Sequence, residues 1–175
     1  MVKFMKKVLV IVDVQNDFVD GALGTKEAVE ILPYVKEEIS KKYDDVFVTF
    51  DTHEENYLDT LEGKMLPVKH CIRHTEGWKL NKEIQDVLKN VSYIPVEKPT
   101  FGSCTLVQMI TALQPDEITL VGLCTDICVI SNALLLRAAL YNTTINVVEK
   151  ACAGVTKEKH LAALETMRSC QINVL

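Results

Sequence analysis

The stretch VLVIVDVQNDF, residues 8–18, begins with five consecutive apolar residues and turns polar at Asp13. A short apolar run rich in β-branched residues is typical of a strand that is buried on both faces, as strands of parallel sheets are. Similar runs recur at VFVTF, residues 46–50, and at EITLVGL, residues 117–123. These runs predict the strands of a buried sheet.

Helical patterns separate these strands along the chain. Apolar residues recur near helical spacing in residues 26–42, where Pro33 stands early, and residues 127–140 are almost wholly apolar, which is typical of a buried helix. Ser103 and Thr156 are predicted N-caps. The predicted helices cover residues 26–42, 80–88, 103–113, 127–140 and 156–168, further strands cover residues 91–96, 144–148 and 171–174, and residues 51–80 show no clear period.

The alternation of strands and helices predicts an α/β fold, with a doubly wound, mostly parallel β-sheet flanked by helices on both faces. The length of 175 residues suits a single domain over residues 1–175. A content of 48% hydrophobic and 25% charged residues excludes a disordered chain. The net charge of -5 without a basic stripe argues against a nucleic-acid partner, and no apolar run approaches the roughly 18 residues of a membrane span.

The cysteines and the amino terminus indicate the compartment. The chain has six cysteines but no C-x-x-C pair, and its first apolar run ends too early for a secretory signal. Free thiols are usual in the reducing cytosol. We therefore expect a cytoplasmic protein with unpaired cysteines.

Polar residues follow the predicted strands at the points where the strands end. Asp13 follows the first strand, Asp51 the second and Lys98 the third, and Cys128 comes shortly after the fourth. Ligands of doubly wound sheets bind beyond the carboxyl ends of the strands, near the switch in strand order. The sequence therefore predicts a site at this edge of the sheet.

Cys128 stands near the predicted start of an apolar helix. A thiol at this position feels the partial positive charge of the helix N-terminus, which lowers its pKa. Asp13 and Lys98 offer the proton acceptor and the positive charge that a nucleophilic cysteine needs. From the pattern alone, a catalytic thiol and a small buried core residue are equally good interpretations of Cys128.

Three motifs resemble those of a known family: IVDVQNDF around Asp13, EKPTFGS around Lys98 and VGLCTDICV around Cys128. They resemble the Asp–Lys–Cys triad of isochorismatase-like cysteine hydrolases, in particular nicotinamidase/pyrazinamidase-related amidases. The resemblance covers nearly the full chain and implies a Rossmann-like, three-layer α/β/α fold. It implies that Cys128 attacks an amide carbonyl, that Asp13 transfers the proton and that Lys98 stabilises the thiolate. It also implies a homo-oligomer, either a dimer or a tetramer.

The resemblance further implies an oxyanion hole and an aromatic substrate pocket. The hole would consist of the backbone N–H groups of Cys124 and Cys128, next to a cis peptide bond between Leu123 and Cys124. Such donors stabilise the charge that develops on a carbonyl oxygen. The candidate contacts of the substrate ring are the aromatic residues Phe18, Trp78 and Tyr57.

A second group of residues matches a metal site. Asp51 and His53 form a D-x-H motif, and His70 follows in LPVKHC. Two imidazoles with a carboxylate suit Zn²⁺, Fe²⁺ or Mn²⁺, although a D-x-H motif by itself is also typical of a polar turn. The resemblance implies one divalent transition metal, with Zn²⁺ the first choice, that binds the ring nitrogen of the substrate. Glu62, in TLEGKMLP, resembles the additional carboxylate ligand of some members.

Together these features predict a metal-assisted cysteine amidohydrolase whose substrate is a small amide, with nicotinamide as the first choice. Two alternatives stay open. One is a metal-independent hydrolase of an N-carbamoyl compound or another small amide, and the other is a catalytically silent binding module of the same fold.

Overall fold

The computed structural model describes residues 5–175, and within this range six strands form one sheet in which all neighbouring strands run parallel. The strand order is β3-β2-β1-β4-β5-β6. The predicted α/β fold with a doubly wound, parallel sheet is confirmed. The strands are β1 Lys7–Val12, β2 Asp45–Asp51, β3 Ile94–Lys98, β4 Glu117–Leu123, β5 Thr144–Ala153 and β6 Asn173–Val174.

Helices cover both faces of the sheet. The helices are α1 Asn16–Val19, α2 Lys26–Glu30, α3 Leu32–Ile39, α4 Leu61–Met65, α5 Lys82–Leu88, α6 Cys104–Leu113, α7 Ile130–Ala139 and α8 Lys157–Ser169. A 3-10 turn spans Tyr57–Asp59, and a π-helical turn spans Thr125–Val129. Residues of α1, α2, α3 and α5 share one hydrophobic core, and residues of α6, α7 and α8 share another. In the described part of the chain, no helix has the length and apolar character needed to cross a membrane.

The position of β1 in the sheet explains why residues 8–12 are all apolar. Leu9 and Ile11 point into the core beneath α2, α3 and α5, whereas Val8, Val10 and Val12 point into the core beneath α6, α7 and α8. All five side chains are completely buried. A strand with helices on both faces needs apolar residues at every position, because neither face meets water.

The switch in strand order lies between β1 and β4. The chain builds β1, β2 and β3 outward in one direction and then returns to place β4 on the other side of β1. The connections that leave the carboxyl ends of β1 and β4 therefore diverge to opposite faces of the sheet, which opens a crevice between them.

The structure corrects the prediction of one helix over residues 26–42. The segment forms two helices that meet at Ile31, with Pro33 in the first turn of the second helix. Proline has no N–H to continue the hydrogen-bond ladder of the first helix. As a result Val29, predicted on the apolar face, is exposed, and Ile31 is buried in its place.

The prediction for the fifth strand is too short. β5 extends to Ala153 because the register with β4 shifts between Leu120 and Gly122, where Gly122 pairs with Cys152. The charged residues Glu149 and Lys150 lie within this irregular part of the strand and interrupt its apolar pattern.

Candidate active site

Asp13, Lys98 and Cys128 meet at the crevice. Asp13 directly follows β1, Lys98 ends β3, and Cys128 lies in the π-helical turn after β4. The Lys98 Nζ atom is 2.6 Å from Asp13 Oδ2 and 3.6 Å from Cys128 Sγ. The exposed fractions of the three residues are 0%, 1% and 5%. The structure thus brings the three predicted residues into one buried cluster.

Asp13 is fixed by contacts on both of its oxygens. Its backbone has a positive φ of 47°, and its N–H donates to Thr49 Oγ1 at 3.1 Å. The Thr49 hydroxyl donates in turn to Asp13 Oδ1 at 2.6 Å, while Oδ2 faces the Lys98 ammonium. Burial raises the pKa of Asp13, and the charge of Lys98 opposes that rise. A carboxyl group with a raised pKa is suited to both accepting and returning a proton near neutral pH.

Lys98 holds its charge although it is buried. Burial alone would lower its pKa, but the carboxylate of Asp13 and the nearby Cys128 and Asp51 reverse this effect and raise the pKa. Its Nζ also donates to the carbonyl of Thr100 at 3.1 Å and lies 3.5 Å from Asp51 Oδ1. Lys98 is therefore a permanent positive charge between the carboxylate and the thiol.

The electrostatic setting of Cys128 differs from the prediction. The predicted helix start is a π-helical turn, and α7 begins only at Ile130. Burial raises the pKa of the Cys128 thiol well above its usual range, the Asp13 carboxylate raises it further, and Lys98 lowers it. Burial thus favours the protonated form of the thiol, whereas the Lys98 ammonium favours the thiolate.

The predicted metal-binding residues form a second cluster beside the first. One ligand atom each of Asp51, His53 and His70 lies within 4.8 Å of the others, and all three residues are buried. The Asp51 Oδ2 atom is 3.0 Å from His53 Nε2 and 3.5 Å from His70 Nε2. Glu62 Oε1 approaches the same two nitrogens at 3.6 and 3.7 Å.

The donor set of this cluster fits a divalent transition metal. His70 Nδ1 donates to the carbonyl of Val68 at 2.8 Å, which leaves Nε2 facing the cluster as the nitrogen that could bind a metal. This arrangement is usual for a metal-ligating histidine. Asp51 and Glu62 add two carboxylates whose mutual repulsion a cation would neutralise.

A small cavity joins the two clusters. Its lining includes Cys128 and Cys124 together with Asp51, Glu62 and His70. The remaining lining residues are apolar: Phe18, Leu23, Leu66, Phe101 and Ile127. The peptide bond between Leu123 and Cys124 is cis, as the resemblance implies.

The three aromatic candidates occupy different positions. Phe18 lines the cavity, and its ring centroid is 5.6 Å from that of His70. Tyr57 is fully buried behind the histidines, with its ring 4.7 Å from His53 and its hydroxyl donating to the Leu66 carbonyl. Trp78 packs on Phe50 and donates from its indole N–H to Thr52 Oγ1. Of the three, only Phe18 is among the residues that line the cavity.

Sequence reasoning missed Thr49 and Gln15, which support the two clusters. The Gln15 side chain accepts from the Asp51 N–H at 2.8 Å and donates to the carbonyls of Asp51 and Trp78 at 2.9 and 2.8 Å. It therefore ties the loop after β1 to the end of β2. A signal was present, because Thr49 and Gln15 are polar residues inside or next to runs that are otherwise buried.

Comparison with known proteins identifies the family. The isochorismatase domain family matches residues 7–175. An uncharacterized isochorismatase family protein of Bacillus subtilis (strain 168) is 30% identical over 91% of this chain and 93% of its own length. A nicotinamidase of Schizosaccharomyces pombe is 28% identical over 95% of this chain and 91% of its own length. The crystal structure of a pyrazinamidase/nicotinamidase from Streptococcus mutans UA159 superposes with a TM-score of 0.86, at 26% identity, covering 97% of this chain and 100% of that one. Because the family match spans nearly every residue that the structure describes, this chain belongs to the isochorismatase family.

Proposed function

We propose that this chain is a metal-assisted cysteine amidohydrolase that converts nicotinamide to nicotinate and ammonia through a thioester on Cys128. The observation that carries the proposal is the shared cavity, whose lining includes Cys128 as well as Asp51 and His70. The same small space is thus lined by a thiol that can attack a carbonyl carbon and by metal ligands. A metal held there could bind the ring nitrogen of the substrate. The S. pombe relative, which matches 95% of the chain, is named a nicotinamidase.

Acylation begins with attack of Cys128 Sγ on the amide carbonyl carbon. The carbon–sulfur bond forms while the thiol proton passes to Asp13. Lys98 Nζ, 3.6 Å from the sulfur, stabilises the negative charge that develops on the sulfur as the proton leaves. The raised pKa of Asp13 makes it basic enough to accept this proton and acidic enough to return it. The carbon–nitrogen bond then breaks as Asp13 protonates the leaving nitrogen, and ammonia departs.

Deacylation uses the same groups in the same order. Asp13 takes a proton from water, the oxygen of that water bonds to the thioester carbon, and the carbon–sulfur bond breaks. The proton returns to Cys128, which restores the starting state. In both halves the backbone N–H groups of Cys124 and Cys128 would stabilise the carbonyl oxygen as it becomes negative.

The predicted metal ligands and the apolar wall of the cavity would orient the substrate. Asp51, His53, His70 and Glu62 would hold one divalent transition metal, with Zn²⁺ as first choice and Fe²⁺ or Mn²⁺ as alternatives, which supplies a Lewis-acid binding point for the ring nitrogen. Phe18 would contact the ring face from the cavity wall. These contacts would hold a small, flat substrate in a single orientation, with its carbonyl carbon next to Cys128.

An ammonia-release assay over matched amides tests the proposal. Nicotinamide should be hydrolysed, and benzamide, which has the same shape without the ring nitrogen, should show a higher KM. Cys128→Ala protein provides the background rate. Faster release from an N-carbamoyl compound than from nicotinamide, with full activity in chelator, would favour the metal-independent hydrolase. Absence of hydrolysis of every amide by folded, metal-loaded protein would contradict an amidohydrolase.

A further inference from the structure

Asn132 is a buried polar residue next to the nucleophile. It lies in the first turn of α7 and has no solvent exposure. Its Nδ2 donates to the carbonyl of Cys128 at 2.8 Å and to the carbonyl of Phe101 at 3.1 Å. Its Oδ1 accepts from the Ser103 N–H at 2.9 Å. Both amide hydrogens and the amide oxygen are therefore engaged.

These three bonds join two segments that are separate in sequence. One is the π-helical turn that carries Cys128, and the other is the loop of residues 99–103 that follows Lys98. That loop supplies the Thr100 carbonyl to the Lys98 ammonium, and Phe101 forms part of the cavity wall. Asn132 therefore contacts the backbone of the nucleophile and the backbone of the loop that supports its charge partner.

The sheet does not provide this connection. β3 and β4 are three positions apart in the sheet, with β2 and β1 between them. At about 4.8 Å per strand this separates their ends by about 14 Å. Ladder hydrogen bonds thus fix Lys98 relative to β2 and fix the start of the turn relative to β1, but they do not link the loop after β3 to the turn after β4.

The fold alone gives little reason for an amide at this position. Asparagine is a poorer helix former than the alanine and leucine residues that fill most of the same helix. Its neighbours in the helix interior, Ala133 and Leu136, are completely buried and apolar. A buried amide in such surroundings is stable only when its hydrogen bonds are made, and it then holds its partners in one arrangement.

We propose that Asn132 is a positioning residue that holds the turn of Cys128 against the loop after Lys98 and so sets the approach of the Lys98 ammonium to the sulfur. The inference deepens the proposed function, on which it rests for its effect on turnover. Loss of the Nδ2 donors would let the turn and the loop separate, and a displacement of about 1 Å costs about 100-fold in rate at a reacting centre.

The test compares Asn132→Asp and Asn132→Ala with the wild-type enzyme. Asn132→Asp retains the shape and the acceptor for the Ser103 N–H but loses both donors. Asn132→Ala removes all three bonds and retains a strong helix former, so it provides a second folded variant. Asn146→Ala is the matched control for Asn132→Ala, because Asn146 is also a buried asparagine, but its Oδ1 accepts from Asn173 Nδ2 at 3.0 Å, at the β5–β6 edge.

Two readouts separate positioning from general stability. The first is kcat and KM for nicotinamide, where kcat should fall between 10- and 100-fold in both Asn132 variants, with a smaller change in KM. The second is the rate of iodoacetamide alkylation of Cys128, followed by peptide mass, which should fall at least fivefold. The Asn146 control should lower the melting temperature and leave both readouts within twofold of wild type.

The alkylation readout needs no amide substrate, so it remains informative if wild-type protein hydrolyses no amide, a result that would contradict the proposed function alone. Folded Asn132 variants that retain wild-type kcat and alkylation rates within twofold would overturn the positioning role. An equal loss in the Asn146 control would overturn it as well, because the effect would then follow stability.

Discussion

Asp13→Asn and Lys98→Met should destabilise the protein to different extents. In Asp13→Asn the Lys98 ammonium stays buried and loses the carboxylate at 2.6 Å, retaining Asp51 at 3.5 Å and the Thr100 carbonyl at 3.1 Å. Removal of one partner of a buried pair costs about 3–5 kcal/mol. Since part of the compensation remains, we expect about 3 kcal/mol, which corresponds to a fall in Tm of about 6–12 °C for a chain of this size.

Lys98→Met should lower the free energy of unfolding less than Asp13→Asn does, because the buried Asp13 carboxylate can take up a proton and become neutral. Burial already raises the pKa of Asp13, and removal of the ammonium raises it further. The folded state then binds more protons than the unfolded state, in which the aspartate pKa is about 3.9. The stability that Asp13 contributes is therefore fully present below about pH 4 and is lost as the pH rises through its raised pKa. The fall should be steeper in Lys98→Met than in wild-type protein.

Urea unfolding measures both the loss of stability and its dependence on pH. It is carried out on the two single variants and the double variant, at pH 4 to 8 and at equal metal content. The double variant should be more stable than the sum of the single changes predicts, by about 2 kcal/mol. Lys82→Met is the control, since the Lys82–Asp86 pair is exposed, 3.3 Å apart, and worth at most about 1 kcal/mol. Two results together would refute this reasoning about the Asp13–Lys98 pair. The free-energy changes of the two single variants would add up to that of the double variant within about 0.5 kcal/mol, and the stability of Lys98→Met would depend on pH no more than that of wild-type protein.

Four further changes test the site and its support. Cys128→Ser should reduce ammonia release at least about 1000-fold without loss of folding, because a hydroxyl ionises far less readily than a thiol; substantial residual release would exclude thiol attack. His53→Ala should abolish stoichiometric metal in elemental analysis and raise KM for nicotinamide, while Cys128 is still alkylated by iodoacetamide; an unchanged KM would remove the metal from substrate binding. Thr49→Val should lower kcat and cost about 1–3 kcal/mol in urea unfolding, since Asp13 loses a buried hydrogen bond; a silent change would show that Asp13 needs no support. Gly122→Ala should leave little folded protein in circular dichroism, because the new Cβ would lie 2.1 Å from the Val12 carbonyl oxygen at a φ of 118°; a wild-type melting curve would contradict this close approach.

The sequence predicted the parts of the fold that depend on local pattern. The fourth strand was predicted over residues 117–123, the bounds that β4 has in the structure. Ser103 and Thr156 cap α6 and α8 as predicted, with hydroxyl groups that accept from the Leu106 and Lys159 N–H groups. These features follow from apolar runs and from capping chemistry, both of which act within a few residues.

The features that sequence reasoning missed depend on contacts between distant segments. Gln15 meets Asp51 across 36 residues, and Asn132 meets Phe101 across 31. The helix α4, which places Glu62 next to His53 and His70, lies in a segment without apolar periodicity. No pattern within one segment encodes such contacts.

The direction of the pKa shift of Cys128 also differs from the expectation. A helix N-terminus lowers a thiol pKa, but the turn that holds Cys128 is π-helical, and burial raises the pKa instead. Asp13 and Lys98, which approach the sulfur from the ends of β1 and β3, act on this pKa in opposite directions.

Rapid acid quenching of the enzyme during turnover of nicotinamide, followed by peptide mass analysis, looks for the proposed thioester on Cys128. We expect that the peptide containing Cys128 gains the mass of one nicotinoyl group, that the adduct is lost in alkaline hydroxylamine as thioesters are, and that Cys128→Ala protein carries none. Hydrolysis of nicotinamide at the wild-type rate by Cys128→Ala protein, or an acyl group on another residue, would contradict it.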